Sequence, residues 1–222
     1  MISMWSVFTL DTLIIAALLT TLIYKPARNY FVFAKIAAST AFLGIAVLFW
    51  QKSGKNTWFF HILPGFLLCF LGDVCLGIYN VRRKKTFFLA GLFLFLLGHL
   101  SFLAALVTLQ PLGILDVVVP MLAVLGTMGI TIRKQLLLGK MKPYVYLYSF
   151  FVAMFFVKSM HIFWKMPQKM TACLALGSCL FLISDFLILF LYFAKRRPWS
   201  THGWNLATYY YGMFFLALSI LT

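Results

Sequence analysis

The chain has 222 residues, of which 64% are hydrophobic and only 10% charged. That much apolar surface excludes a water-soluble globular domain and calls for a polytopic membrane protein. The formal charge is +15, but the basic residues sit in short gaps between apolar runs. There they act as topology signals and contacts to anionic lipid, so no nucleic-acid partner is expected.

A membrane-crossing helix needs about 20 mostly apolar residues. Eight such runs follow one another, at 5–24, 31–50, 58–80, 86–109, 112–132, 144–163, 171–193 and 204–221. The expected fold is therefore all-α: a single integral membrane domain over residues 1–222, built as an eight-transmembrane-helix bundle. The first run has no basic residue before it and no small-residue cleavage site, which predicts a permanent helix rather than a signal peptide. The second carries Lys35 a little over one turn from its start. The third, within "ILPGFLLCFLGDVCLGIY", holds Asp73. The fourth holds His99 and a smooth stripe of Gly91, Gly98 and Ala105, suited to close helix packing. Gln110-Pro111 predicts a tight hairpin into the fifth run, where Pro120 predicts a kink. In the sixth run Lys158 lies near one end and is expected to snorkel out of the hydrocarbon. The seventh, "LGSCLFLISDFLILFLY", holds Asp185. The eighth opens on Trp204 and Asn205 and continues through Tyr209 and Tyr210, which suit either an interfacial aromatic belt or a site.

Charge fixes an expected orientation. Lys25, Arg28, Arg82, Arg83, Lys84, Lys85, Arg133, Lys134, Lys140, Lys142, Lys195, Arg196 and Arg197 occupy the odd-numbered gaps. The even-numbered gaps hold only Lys52, Lys55, Lys165 and Lys169. Cytosolic loops are the positive ones, so both termini are expected outside. The short loops and the lack of targeting extensions suggest a bacterial inner membrane.

The acidic inventory is Asp11, Asp73, Asp116 and Asp185; there is no glutamate. An aspartate at the centre of a membrane helix costs about 2.5–3.5 kcal/mol on insertion scales, so Asp73 and Asp185 should face the bundle interior, paired or hydrated. With 1.5 Å of rise per residue, Asp73 should lie about 12 Å and Asp185 about 15 Å below the same membrane face. A shift of 112 residues superposes Gly65 on Gly177, Leu68 on Leu180 and Asp73 on Asp185. This raises a pseudo-repeat of 1–110 and 111–222, two parallel halves related by an axis along the membrane normal.

The four cysteines, Cys69, Cys75, Cys173 and Cys179, form no C-x-x-C pair and read as small packing residues. His99 is the one histidine well inside a run, which is too few imidazoles for an intramembrane zinc hydrolase; no metal or cofactor is expected.

The segments "FLGDVCLGIY", "GLFLFLLGHLSF", "FLISDFLILF" and "TYYYGMFFLALS" occur in this order on the third, fourth, seventh and eighth runs. Together they resemble the YhhN-like lysoplasmalogenase family of eight-helix membrane proteins, over Lys35 to Ser219. Lys35 falls where that family carries a lysine, while the sixth run, "LYSFFVAMFFVKSM", departs from the family pattern. The resemblance implies an activity: cleavage of the vinyl-ether bond of lysoplasmalogens to a fatty aldehyde and a glycerophospho-ethanolamine or -choline. The implied partners are a lysophospholipid substrate and membrane lipids.

Enol-ether hydrolysis begins with proton delivery to the β-carbon and passes through an oxocarbenium ion. Two carboxylates in different protonation states can supply both the acid and the nearby negative charge. Asp73 and Asp185 are therefore the candidate acid/base pair, with His99 orienting a carboxylate or the water. Lys35, Tyr209 and Tyr210, together with Asn80, are the candidates for holding the headgroup or tuning the pair. Two other readings remain open at this stage. Paired intramembrane aspartates and a lysine also suit a proton-coupled transporter or an intramembrane lipid-binding protein. The aspartates could also simply bond Lys35, His99 and tyrosine hydroxyls to fix helix packing.

Overall fold

A computed structural model describes residues 3–24, 30–195 and 198–222. Lys25, Arg28, Arg196 and Arg197, which enter the charge count, lie outside the described residues. The described chain is all-helical: α1 (Met4–Ile23), α2 (Phe31–Lys52), α3 (Trp58–Arg82), α4 (Lys85–Leu109), α5 (Leu115–Arg133), α6 (Lys142–Lys165), α7 (Lys169–Phe193) and α8 (Trp199–Leu218). A 3-10 turn, Gly139–Met141, leads into α6. Helices α1 to α7 are each long and apolar enough to cross a membrane, so this is a multi-pass membrane protein. Each of the eight expected runs overlaps one of these helices, with 112–114 lying before α5 and 219–221 after α8.

Local chemistry sets the ends. Ser3 caps α1 by accepting from the Ser6 amide. Gln168 and Thr171 form a reciprocal capping box on α7. Gly54, at φ 72°, and Lys55, at φ 63°, are the consecutive left-handed residues that turn α2 into α3.

The helices neighbour one another in a regular way. α3 lies on α4 and on α2; α7 lies on α8 and on α6; α2 meets α8, and α6 meets α4. The closest approaches run through glycine. A side chain added at Gly212 would meet the Gly177 carbonyl oxygen at 3.0 Å and the Phe181 amide nitrogen at 3.2 Å, backbone atoms that cannot step aside. The α3–α4 contact uses the same device: a Cβ at Gly98 would sit 2.8 Å from Cys69 Sγ, and one at Gly91 2.8 Å from Leu76. With no hydrophobic driving force between helices in lipid, such close approach supplies the dispersion that holds the bundle.

α8 differs from the rest. It is surrounded by α1, α2 and α7, and its second half is buried almost throughout. A helix shielded by protein does not need a lipid-compatible surface. The polar residues Asn205 and Thr208 lie in its first half, where Trp204 is 67% exposed.

Candidate functional site

Two buried polar centres occupy the bundle, one around Asp73 and one around Asp185. Asp73 is nine residues before the end of α3 and Asp185 eight before the end of α7. At 1.5 Å per residue that places them about 13 and 12 Å from the same end of their helices.

Asp73 is wholly buried, with one cation and two hydroxyls around its carboxylate. Its Oδ1 pairs with the Lys35 ammonium of α2 at 2.7 Å. Its Oδ2 accepts from the Tyr209 hydroxyl of α8 at 2.8 Å and from Ser39 Oγ of α2 at 2.6 Å. Tyr210 sits behind this shell, its hydroxyl 3.1 Å from Ser39 Oγ and 3.3 Å from the Lys35 carbonyl oxygen. Lys35, one of the few basic residues inside a span, is thereby held as a buried counter-ion. The arrangement answers the cost of a charge in hydrocarbon by giving each oxygen a partner. Tyr209 and Tyr210 are both buried, so they do not form an interfacial belt.

Asp185 has a different surrounding. Its Oδ2 lies 2.7 Å from Nε2 of His99, on α4. The Tyr148 hydroxyl of α6 is 3.4 Å from the same nitrogen, and Tyr148 lines the same cavity wall as Asp185. His99 is fully buried and its Nδ1 has no partner. A bare acceptor nitrogen is cheaper to bury than an unpaired N–H. The tautomer with its proton on Nε2, donated to a carboxylate Asp185, follows.

A cavity of about 440 Å³ opens onto this second centre. Its walls come from α4 (Leu89, Leu92, Phe93, Leu96), α5 (Ala123, Thr127), α6 and α7, and are almost wholly apolar. Asp185 and Tyr148 stand on the wall, and Lys140 lies at the end nearest the 3-10 turn. The volume falls in the range of small-molecule sites, and the pattern of an apolar space with a few converging polar groups is theirs as well.

The six chemistry-bearing candidates thus divide between two places. Asp185 and His99 are brought together at the cavity, whereas Asp73, Lys35, Tyr209 and Tyr210 form a closed cluster that does not line it. The two aspartates share no hydrogen bond among the described residues. Between the two centres lie Cys69, within electrostatic reach of both carboxylates, and Phe181, whose ring is 4.4 Å from His99 and 5.2 Å from Tyr209. Of the two roles expected for Lys35, Tyr209 and Tyr210, holding a headgroup or tuning an aspartate, their contacts match the second: Lys35 and Tyr209 bond Asp73, and the Tyr210 hydroxyl bonds Ser39 Oγ and the Lys35 carbonyl oxygen. Asn80 is half-buried near the end of α3, away from the cavity wall.

Sequence reasoning missed Ser39 and Tyr148. Neither is ionisable at neutral pH, and each sits in a run with similar neighbours. Only the packing of α2 on α3 and α6 on α7 singles them out. Lys158 is also corrected. It is fully buried instead of snorkelling, with Nζ donating to the Pro111 carbonyl oxygen at 2.7 Å and to Asp116 Oδ2 at 3.0 Å. Asp116 also accepts from the Gly113 amide at 2.8 Å and has His161 Nδ1 at 2.8 Å from Oδ1. This third cluster fastens the α4–α5 connection to α6.

The chain was compared with known proteins. No curated protein and no solved structure matches it. A model of the YhhN family matches residues 30–220, a span that takes in α2 to α8 and every residue of both polar centres. The chain belongs to the YhhN family.

Proposed function

We propose that this protein is a membrane hydrolase that cleaves the vinyl-ether bond of lysoplasmalogens, releasing a fatty aldehyde and a glycerophospho-alcohol. The single observation that carries the reading is the meeting of an apolar cavity with a buried carboxylate–imidazole pair, Asp185 and His99. An acyl-like chain needs the first, and proton transfer to carbon needs the second. Family membership supports that role, and the proposal places eight helices across a bacterial inner membrane with both termini outside.

In the proposed reaction Asp185 takes up a proton through the cavity and passes it to the β-carbon of the vinyl ether. The C=C electrons form the new C–H bond, and the ether oxygen shares its lone pair with the adjacent carbon to give an oxocarbenium ion. The carboxylate left behind lies beside that cation in a dry setting, where such stabilisation is strongest. Asp185 then accepts a proton from the water that adds to the cation. The hemiacetal collapses to aldehyde and alcohol, so one water is consumed and the enzyme's proton is returned. A positioned general acid contributes about 10²–10⁴-fold. His99 holds one carboxylate oxygen and fixes which edge faces the chain, and Tyr148 supports both. Asp73, its oxygens already occupied, supplies a fixed anion and a rigid wall behind Phe181 rather than a proton.

The test is incubation of the purified protein in D2O with a vinyl-ether lysophospholipid and its ester analogue, followed by mass spectrometry. The expected product is an aldehyde carrying one deuterium on the carbon next to the carbonyl, from the vinyl ether alone. Aldehyde without that deuterium would overturn the proton-transfer step. Tight binding with no product would leave a lipid-binding protein in place of the enzyme.

A further inference from the structure

The cavity has two chemically different ends. Asp185 is the anion on its wall and Lys140 the cation. Lys140 belongs to the turn just before α6, while Tyr148 lies six residues into that helix, about 9 Å deeper at 1.5 Å per residue. The walls between are leucine, phenylalanine and valine. α4 and α5 form facing walls, yet α5 packs on α6 and not closely on α4. The cavity is thus accessible sideways, from lipid.

No carboxylate among the described residues pairs with Lys140. The chain has four acidic residues, Asp11, Asp73, Asp116 and Asp185, and all four are buried inside helices. The ion pairs of the described residues join Asp73 to Lys35, Asp116 to Lys158 and His161, and Asp185 to His99. Lys140 is exposed and has no carboxylate partner among the described residues. Other loop lysines share that condition, but Lys140 alone among them lines the cavity.

We propose that Lys140 is the phosphate anchor of this site: a single-chain lipid with a phosphate headgroup enters between α4 and α5, lays its chain in the cavity, and pairs its phosphate with the Lys140 ammonium at the mouth. This deepens the hydrolase reading and rests on it for the bond that lies against Asp185, though not for the binding itself. The anchor fixes the depth at which the lipid stops. A phosphate held at the mouth leaves the first bonds of the chain a few bond lengths below, level with Tyr148 and Asp185.

The experiment uses the full-length protein in neutral detergent and two vinyl-ether substrates, a 1-alkenyl-glycerophosphoethanolamine and the 1-alkenyl-glycerol that lacks the phosphate. Lys140→Glu is expected to raise KM for the phospholipid ten- to a hundredfold, the worth of one charge-assisted contact, with kcat little changed. It should leave both constants for the alkenylglycerol unaltered, and Lys140→Arg should restore the phospholipid KM. Lys142→Glu, next to the turn but off the cavity wall, should do nothing. Equal shifts for both substrates, or none for either, overturn the anchor.

A second arm keeps this separate from the chemistry. The ester analogue 1-acyl-glycerophosphoethanolamine should raise the melting temperature of the wild type and not of Lys140→Glu, whereas monoacylglycerol should act alike on the two. If that pattern appears while no vinyl ether is cleaved, the anchor stands and the hydrolase reading falls. If inorganic phosphate alone gives the same stabilisation, the site is a free-anion site and the lipid proposal falls.

Discussion

Asp73 and Asp185 hold equivalent stations in the bundle. Asp73 on α3 is met by residues of α2 and α8; Asp185 on α7 is met by residues of α6 and α4. Exchanging helices one to four with five to eight carries one set of neighbouring helices onto the other. The two stations are finished differently. Around Asp73 a lysine, a serine and a tyrosine close the space, whereas around Asp185 a histidine and a tyrosine leave it open to a cavity. One acidic residue is enclosed by its partners, and the other lines a cavity.

This asymmetry separates two substitutions that look alike in the sequence. Asp185→Asn keeps the size of the side chain and a hydrogen bond to His99. It should therefore remove about 10²–10⁴-fold of aldehyde release while leaving the melting temperature within a degree or two. A variant with near wild-type turnover would take Asp185 out of the mechanism.

Asp73→Asn should instead lower stability, because it strands the buried Lys35 ammonium. Breaking a buried pair from one side costs about 3–5 kcal/mol, while replacing both partners by apolar residues of similar volume is often close to neutral. The double variant Lys35→Met with Asp73→Leu should thus melt nearer to wild type than Asp73→Asn does. Thermal unfolding in detergent reads the difference. Activity regained in the double variant would place Asp73 outside the chemistry, and inactivity with full stability would return it to the reaction.

Lys158 gives a parallel case far from the cavity. Lys158→Met leaves Asp116 with only His161 and the Gly113 amide, and a loss of about 3–5 kcal/mol is expected. Adding Asp116→Leu should recover most of it. Wild-type melting in the single variant would mean that Lys158 escapes to the interface after all.

The glycines offer a test of packing. Gly212→Ala would press its methyl onto backbone of α7, and overpacking of that kind costs about 1–3 kcal/mol. Gly126→Ala, on α5, meets nothing within 4 Å and should be neutral or slightly stabilising. Similar melting for the two would show that the α7–α8 contact is looser than its geometry.

The sequence by itself determined the membrane class, the position of all eight helices, and which ionisable groups must be sheltered. Those features are written in local composition: a run of about 20 apolar residues can satisfy its backbone in lipid only as a helix, and a charge within it must turn inward. What it did not determine was how inward-facing groups are shared out. Asp73 and Asp185 read as one pair because both are aspartates at one depth. Only the packing of α2 and α8 on one side, and of α4 and α6 on the other, gives the first a lysine and the second a histidine and a cavity. Partner choice depends on which helices touch and how each is rotated, and that is fixed by glycine contacts and ring packing between segments distant in the chain. No single apolar run encodes it.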